Sequence, residues 1–160
     1  MTRSLKKIKI VFTDVDGVLT DGRLIIMNDG PYGKVFSTRD GQGIEYALKS
    51  GMKIYWITGR KDASTENRAS ELNCGLVFTS GADKGGIVKN ILEREGVDRE
   101  EAVFIGDDIP DLAAKPEVAL FACPSDAHPA VLAESDIILN KKGGRGAVRE
   151  LIDRILSEKK

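Results

Sequence analysis

A short apolar run that ends in two acidic residues constrains the fold of this chain more than any other feature. Residues 8–12 include β-branched members and predict a short buried strand. Asp14 and Asp16 follow that strand, and Gly17 comes next. Side chains two positions apart on extended backbone project to the same side, so the two carboxylates should lie close together. Such a pair requires a counter-charge, and Mg²⁺, which prefers oxygen ligands, provides it.

Length and composition indicate an ordinary globular protein. The chain has 160 residues, of which 41% are hydrophobic and 31% charged, and we expect one domain spanning residues 1–160. Its formal net charge of −1 gives it no general attraction for nucleic acid or for an anionic membrane, so neither is expected as a partner. The sequence contains no apolar run of about 18 residues that would span a membrane.

The cysteines and the N-terminal segment favour a cytoplasmic location. Residues 1–9 are basic and lack the apolar region of a signal peptide. Cys74 and Cys123 lie far apart in the sequence and fit reduced thiols better than a disulfide. His128 is the single histidine, which argues against a histidine-based metal site and leaves carboxylates, lysines and arginines as the catalytic groups.

Apolar runs alternate with helical patterns along most of the chain. A hairpin is predicted at about 23–38, with strands at 23–27 and 34–38 around a turn rich in Asn, Asp, Gly and Pro. Further strands are predicted at 52–57, 76–78, 102–105, 118–122 and 136–139. Helices are predicted at 42–50, 62–73, 84–95 and 147–156.

The alternation predicts an α/β fold with a doubly wound, Rossmann-like parallel sheet. Strands without strict polar alternation, each followed by a helix, are typical of a parallel sheet covered on both faces. The hairpin interrupts this pattern, and the space between Asp16 and Thr58 is too short for an independent cap domain. Ligands of such a fold bind beyond the carboxyl ends of the strands.

Polar side chains occur where these strands end. The strand-end residues are Asp14 and Asp16, then Thr58, Gly59 and Arg60, then Lys84 at a helix start, and finally Gly106, Asp107, Asp108 and Asp111. In this fold they converge on one crevice, as Mg²⁺-assisted phosphoryl transfer requires.

These ordered motifs resemble the haloacid dehalogenase (HAD) superfamily of phosphatases. Its Asp-x-Asp-Gly-x motif matches residues 14–18, its strand-closing Ser or Thr matches Thr58, and its lysine matches Lys84. Its acidic fourth motif matches residues 106–108 with Asp111, so the resemblance covers nearly the whole chain.

A narrower resemblance is to the phosphatases of 3-deoxy-D-manno-octulosonate 8-phosphate (KDO 8-phosphate). The segments that carry it are residues 39–43, 58–61, 106–108, 126–129 and 143–150, together with the hairpin in place of a cap. The resemblance implies a sugar-acid phosphate substrate. It also implies a homotetramer in which the hairpins assemble and a neighbouring subunit covers each active site.

Chemistry and resemblance together suggest the catalytic roles. Asp14 would be the nucleophile, and Asp16 would protonate the departing sugar oxygen and then activate water. Thr58 and Lys84 would hold phosphate oxygens. Mg²⁺ would be bound by the carboxylate of Asp14, the backbone carbonyl of Asp16 and the carboxylate of Asp107.

Substrate binding is expected to involve arginines, because guanidinium groups pair with both carboxylate and phosphate. The residues expected to contact substrate, besides Asp16 and Lys84, are Ser37, Arg39, Asp40, Gly41, Gly59, Arg60, Arg68 and Asp108.

Several alternatives stay open at the level of sequence. The substrate could be a nine-carbon sugar-acid phosphate, since such phosphatases share the core motifs. A signalling receiver domain and a non-catalytic assembly module, like the phosphatase-like domain of some sialic-acid cytidylyltransferases, are two further classes. Asp111 could brace the acidic loop rather than act in catalysis, and His128 fits a structural role. Residues 143–146 either contact a ligand or a neighbouring subunit, or simply lead into the last helix.

Overall fold

The computed structural model describes residues 4–30 and 32–160. Its strands are β1 (Ile10–Thr13), β2 (Ile25–Ile26), β3 (Tyr32–Gly33), β4 (Lys53–Thr58), β5 (Gly75–Phe78), β6 (Ala102–Ile105), β7 (Leu120–Cys123) and β8 (Ile137–Ile138). Its α-helices are α1 (Thr38–Lys49), α2 (Ala63–Glu71), α3 (Lys84–Glu95), α4 (Pro129–Glu134) and α5 (Ala147–Glu158). Two 3₁₀ helices span Arg99–Glu101 and Ile109–Glu117.

A six-stranded sheet in the order β5-β4-β1-β6-β7-β8 forms the centre of the molecule. Its strands are all parallel, which confirms the predicted doubly wound α/β fold. The central strand β1 pairs with β4 on one side and with β6 on the other, so the chain reverses its winding direction at β1. Ligands bind at such a switch point, beyond the strand ends.

Each face of the sheet has its own hydrophobic core. Trp56, Ile44 and Leu151 belong to the core beneath α1 and α5, and Phe36 stacks on the Trp56 ring at 5.8 Å. Phe12 and Phe104 belong to the core beneath α3 and the longer 3₁₀ helix. Burial on both faces explains why the strands read as continuous apolar runs.

The hairpin between β1 and α1 is shorter than predicted. β2 and β3 pair antiparallel, but the predicted second strand at 34–38 is wrong. Instead, α1 already begins at Thr38, because the Ser37 side chain caps it by accepting a hydrogen bond from the Asp40 N–H at 3.4 Å. Apart from this hairpin, residues 4–30 and 32–160 hold no insertion that could serve as a cap domain.

Three short helices were not predicted, of which the first is the 3₁₀ helix Arg99–Glu101. The 3₁₀ helix Ile109–Glu117 begins with a capping box between Asp108 and Asp111, and α4 begins at Pro129 after His128. The His128 ring accepts a hydrogen bond from the Ala130 N–H at 3.1 Å, which gives this histidine a structural contact. Elements this short carry too few residues for a helical hydrophobic period to be visible.

Met1–Arg3 of the basic N-terminal segment and Pro31 of the predicted turn lie outside the described residues. Cys74 and Cys123 form no disulfide with each other. Among the helices in the described part of the chain, none has both the length and the apolar character needed to cross a membrane.

Candidate active site

Asp14 lies at the switch point, directly after β1. Its N–H donates to the Ile105 carbonyl of β6 at 3.0 Å, and the residue is only 7% exposed. The chain then turns tightly, because the Leu19 and Thr20 N–H groups both donate to the Val15 carbonyl. This turn keeps the acidic segment against the end of the sheet.

Lys84 supplies the cation nearest to Asp14. Its Nζ lies 2.6 Å from Asp14 Oδ1 and 2.5 Å from Asp111 Oδ1. Lys84 is the first residue of α3, where the helix dipole disfavours a positive charge, and Asp83 caps this helix through the Gly86 N–H. Although burial lowers the pKa of Lys84, the Asp14 and Asp111 carboxylates raise it above its usual value, so the ammonium stays charged.

Asp111 fixes the acidic loop that follows β6. Its Oδ2 accepts hydrogen bonds from the N–H groups of Asp107 at 2.9 Å and Asp108 at 3.1 Å. Its Oδ1 faces Lys84, so both carboxylate oxygens are already engaged. Asp111 therefore braces the loop, which is the first of the two roles that the sequence left open for it.

The carboxylates of Asp14 and Asp107 fit a divalent metal ion. Oxygen atoms of Asp14, Asp107 and Asp111 lie within 4.8 Å of one another. Asp107 Oδ1 is buried and has no hydrogen-bond partner among the described residues. Because Asp111 is engaged elsewhere, Asp14 and Asp107 are the two side chains left to bind a cation, and anionic oxygens are ligands that hard divalent cations prefer.

Ionisation of these same two carboxyl groups is unfavourable in this buried site unless a metal ion is bound. Burial raises the pKa of Asp14 to about 7, reinforced by Asp111 and opposed by Lys84. Burial also raises the pKa of Asp107 to about 8, reinforced by the nearby carboxylates of Asp14 and Asp111. One ammonium group does not balance three converging carboxylates, and a metal ion would remove the excess negative charge.

Asp16 lies beside a lysine that the sequence interpretation missed. Its Oδ1 is 2.9 Å from Lys34 Nζ, and its Oδ2 is 3.7 Å from Arg60 Nε. Asp16 keeps 28% of its side chain exposed, whereas the side chain of Lys34 is fully buried. No local signal marks Lys34, because a lysine in a hairpin is usually a solvated surface residue.

A cavity of about 800 Å³ opens above these residues. It is lined by Asp14, Asp16, Thr58, Gly59, Arg60, Thr79, Ala82, Asp83, Lys84, Asp107, Asp108, Pro110, Asp111 and Ala113. The volume is within the range of about 300–1,000 Å³ that small-molecule sites occupy, so a sugar phosphate can fit. The structure thus brings together the predicted residues from all four strand ends.

Five predicted substrate-binding residues lie outside this cavity. Ser37 caps α1, and the exposed Arg39 faces a groove along α5. Asp40 is buried and accepts hydrogen bonds from backbone N–H groups at the start of α5. Gly41 packs against the guanidinium of Arg68, which itself pairs with a glutamate on α2. Contacts of these five residues with substrate stay a prediction.

Comparison with known proteins supports the same kind of site that the geometry indicates. No protein-family model matches this chain. A solved structure from Legionella pneumophila described as a HAD superfamily (subfamily III A) hydrolase superimposes with a TM-score of 0.93, at 37% identity over 97% of this chain and 85% of that one. The parallel sheet and the acidic strand ends thus define a phosphatase of the HAD superfamily.

Individual relatives narrow this class. KdsC of Salmonella typhi, a 3-deoxy-D-manno-octulosonate 8-phosphate phosphatase, is 36% identical over 156 residues, covering 98% of this chain and 82% of that protein. The Moraxella catarrhalis enzyme of the same name, solved with magnesium, phosphate and KDO, gives a TM-score of 0.92 at 35% identity over 96% of this chain and 88% of that one. The chain belongs to the KDO 8-phosphate phosphatase family. This membership argues against the signalling receiver.

Replacing Gly17 by alanine should disrupt the metal site. Gly17 has a φ of +91°, and a Cβ there would lie 2.0 Å from Asp107 Oδ2, so the carboxylate must move. We expect the affinity for Mg²⁺, measured by calorimetry, to fall about 10- to 100-fold. Gly22→Ala is the matched control, because Gly22 has a φ of +82° but no atom closer than 3.8 Å. Equal affinity losses in the two variants would contradict the prediction.

Metal binding should release protons near neutral pH. Because the pKa values of Asp14 and Asp107 are raised to about 7 and about 8, the metal-free carboxylates hold protons that a cation must displace. We expect release of about one proton per ion at pH 7 and an affinity that falls as the pH is lowered from about 8 to about 6. Calorimetry in buffers with different ionisation heats measures this release. Identical heats in all buffers at pH 7 would contradict it.

Proposed function

We propose that this chain hydrolyses KDO 8-phosphate to KDO and inorganic phosphate. The observation that carries the proposal is the convergence of Asp14, Lys84 and Asp107 at the end of the parallel sheet. The relationship to KdsC, whose name gives this substrate, supports the choice of sugar acid. A bound KDO molecule in the related Moraxella catarrhalis structure supports it further.

In the first step Asp14 attacks the phosphorus atom. The new bond joins an Asp14 oxygen to phosphorus while the bond between phosphorus and the sugar oxygen breaks. Asp16, two residues further on and facing the same cavity, donates a proton to the departing sugar oxygen.

In the second step water hydrolyses the aspartyl-phosphate. Asp16, now ionised, takes a proton from the water molecule, whose oxygen attacks the phosphorus atom. The acyl-phosphate bond breaks and Asp14 is released as a carboxylate. Asp16 thus ends the cycle with its proton restored.

Thr58 and Lys84 hold the phosphate oxygens. Thr58 closes β4 with its hydroxyl at the cavity, and Lys84 faces Asp14 from α3. Both act where the charge on the phosphoryl group is redistributed, and loss of one such contact typically lowers the rate by about 10²–10³.

Mg²⁺ would be held by the Asp14 and Asp107 carboxylates and the Asp16 backbone carbonyl. When bound, it neutralises charge between the anionic nucleophile and the anionic phosphate. The unpartnered Asp107 Oδ1 supports this ligand set.

Arg60 and Asp108 are the proposed contacts to the sugar acid within one chain. Both line the cavity, and Arg60 is 46% exposed, so its guanidinium can turn toward a carboxylate. Arg39 lies outside the cavity, on the groove along α5, and we propose that it contacts substrate in the active site of a neighbouring subunit.

A phosphate-release screen tests the substrate. With Mg²⁺ present, we expect turnover of KDO 8-phosphate to exceed that of nine-carbon sugar-acid phosphates and of simple sugar phosphates by at least about tenfold in kcat/KM, since extra substrate contacts are worth 1–3 kcal/mol. Asp14→Asn should lose at least about 10³-fold in kcat while staying folded. Equal, feeble rates on all substrates would refute the specificity, and full activity in the variant would refute the nucleophile.

We also propose that the protein is a homotetramer in which a neighbouring subunit covers the site. The hairpin exposes Ile25, Ile26, Met27 and Val35 by 51%, 75%, 54% and 64%. Two strands of two residues are too small to be stable alone, so an apolar partner surface is expected to cover them. Exclusion of water from the open cavity requires such a cover.

Ile26→Glu should dissociate this assembly. A charge at the most exposed apolar position of the hairpin cannot be buried without a large cost. We expect the mass measured by light scattering to fall below that of a tetramer, with a lower kcat. Ile138→Glu on β8 is the matched control, since Ile138 is also exposed, by 51%, but lies on the far edge of the sheet. An unchanged mass for Ile26→Glu would contradict the hairpin interface.

A further inference from the structure

Lys34 is a buried ammonium group that the catalytic scheme above does not use. It follows β3 directly, and its side chain is fully buried. Three oxygen atoms surround its Nζ: Asp62 Oδ2 at 2.7 Å, Asp16 Oδ1 at 2.9 Å and Thr65 Oγ1 at 3.2 Å. The contact with Thr65 is a hydrogen bond, and the contacts with Asp62 and Asp16 are ion pairs. Because Asp16 Oδ1 is buried and accepts no hydrogen bond among the described residues, its contact with Lys34 is electrostatic.

Two of these three oxygens belong to a rigid anchor. Asp62 caps α2, with Oδ1 accepting from the Thr65 N–H at 2.9 Å and Oδ2 accepting from the Thr65 hydroxyl at 2.9 Å. The Asp62 side chain is 5% exposed and Thr65 is fully buried. Lys34 is therefore fixed by the start of α2 rather than by solvent.

Asp16 is the most exposed member of the group. It lies on the turn after β1 and keeps 28% of its side chain exposed, and its second oxygen is 3.7 Å from the half-exposed Arg60. A carboxylate that must donate a proton to one specific oxygen has to be held in one orientation. Lys34 is the buried group in contact with Asp16 that can hold it.

We propose that Lys34 is a positioning residue for the protonation of the leaving group. By tying Asp16 Oδ1 to the capped start of α2, Lys34 leaves Asp16 Oδ2 directed toward the cavity and its substrate. The inference rests on the proposed function, because it assigns Lys34 to the step in which Asp16 acts as the acid. It also connects the hairpin to catalysis, since Lys34 continues the hairpin strand.

Leaving groups of different basicity distinguish positioning from a purely structural role. A sugar alkoxide must be protonated as it departs, whereas p-nitrophenolate is stable without a proton. Lys34→Met keeps the length of the side chain and removes the charge. Because kcat/KM reports the steps up to departure of the leaving group, it excludes the later hydrolysis step in which Asp16 acts for both substrates. We expect kcat/KM of this variant for KDO 8-phosphate to fall about 10- to 100-fold, a part of the 10²–10⁴ that a general acid typically contributes. For p-nitrophenyl phosphate kcat/KM should fall less than about threefold.

Two further variants keep the test independent of folding. Asp62→Asn retains an oxygen that can cap α2 but weakens the anchor of Lys34, so a smaller loss with the same dependence on leaving group is expected. Lys53→Met removes a lysine that pairs with Glu95 at the opposite end of β4, and it should leave both rates unchanged. In the Asp16→Asn background, Lys34→Met should lower the residual rate on KDO 8-phosphate less than about twofold, because its target is gone.

Equal losses on the two substrates, or no loss on either, would overturn the positioning role in any variant that folds. If Lys34→Met does not fold, Asp62→Asn decides the question by the same ratio. Failure of the wild-type protein to release phosphate from any sugar phosphate would instead refute the proposed function. The two failures are therefore distinguishable in one set of measurements.

Discussion

The contact of the Lys84 ammonium with the carboxylates of Asp14 and Asp111 is the interaction on which the rest of the site depends. Burying these charges is unfavourable unless they are paired, and a single cation compensates only part of the charge when Asp107 is added. The fold thus holds more carboxyl groups together at the end of its sheet than one ammonium can balance. Such a site favours a divalent cation, because binding would remove the repulsion between the ionised carboxylates.

Backbone geometry is what allows the carboxylates to approach so closely. A Cβ at Gly106 would lie 2.4 Å from Asp111 Cβ, and one at Gly17 would overlap Asp107. Gly17 belongs to the first acidic motif and leaves room for the Asp107 carboxylate of the other motif. Gly106 belongs to the second motif and leaves room for Asp111, which braces the same loop. The Asp-x-Asp-Gly and Gly-Asp-Asp patterns therefore have a steric reason as well as a chemical one.

The sheet and the cavity could be predicted from the sequence because their signals are local: apolar runs locate the strands, and parallel strands align their carboxyl ends at one edge. The position of Lys34 in the site and the buried contacts of Asp40, which was expected to bind substrate, could not be predicted in this way. The partners of Lys34 lie on the turn after β1 and at the start of α2, and Asp40 accepts its hydrogen bonds from α5, more than a hundred residues away. Both are charged residues that look solvated until the tertiary contacts are known. The predicted second hairpin strand is wrong because Ser37 caps α1, so that the helix already begins at Thr38, and because Lys34 contacts Asp62 and Thr65 at the start of α2.

Successive side chains of the segment after β3 point alternately toward the interior of the protein and toward the proposed subunit interface. Lys34 turns inward to the carboxylates, Val35 turns outward with 64% of its surface exposed, and Phe36 turns inward to stack on Trp56. Successive side chains of an extended segment face opposite sides, so a partner that packs on Val35 also restrains the backbone that carries Lys34. In the proposed assembly, covering the site and orienting Asp16 would then be two consequences of one contact. In the proposed tetramer the hairpin could remain this small because a neighbouring subunit, rather than an inserted domain, would supply the remaining surface.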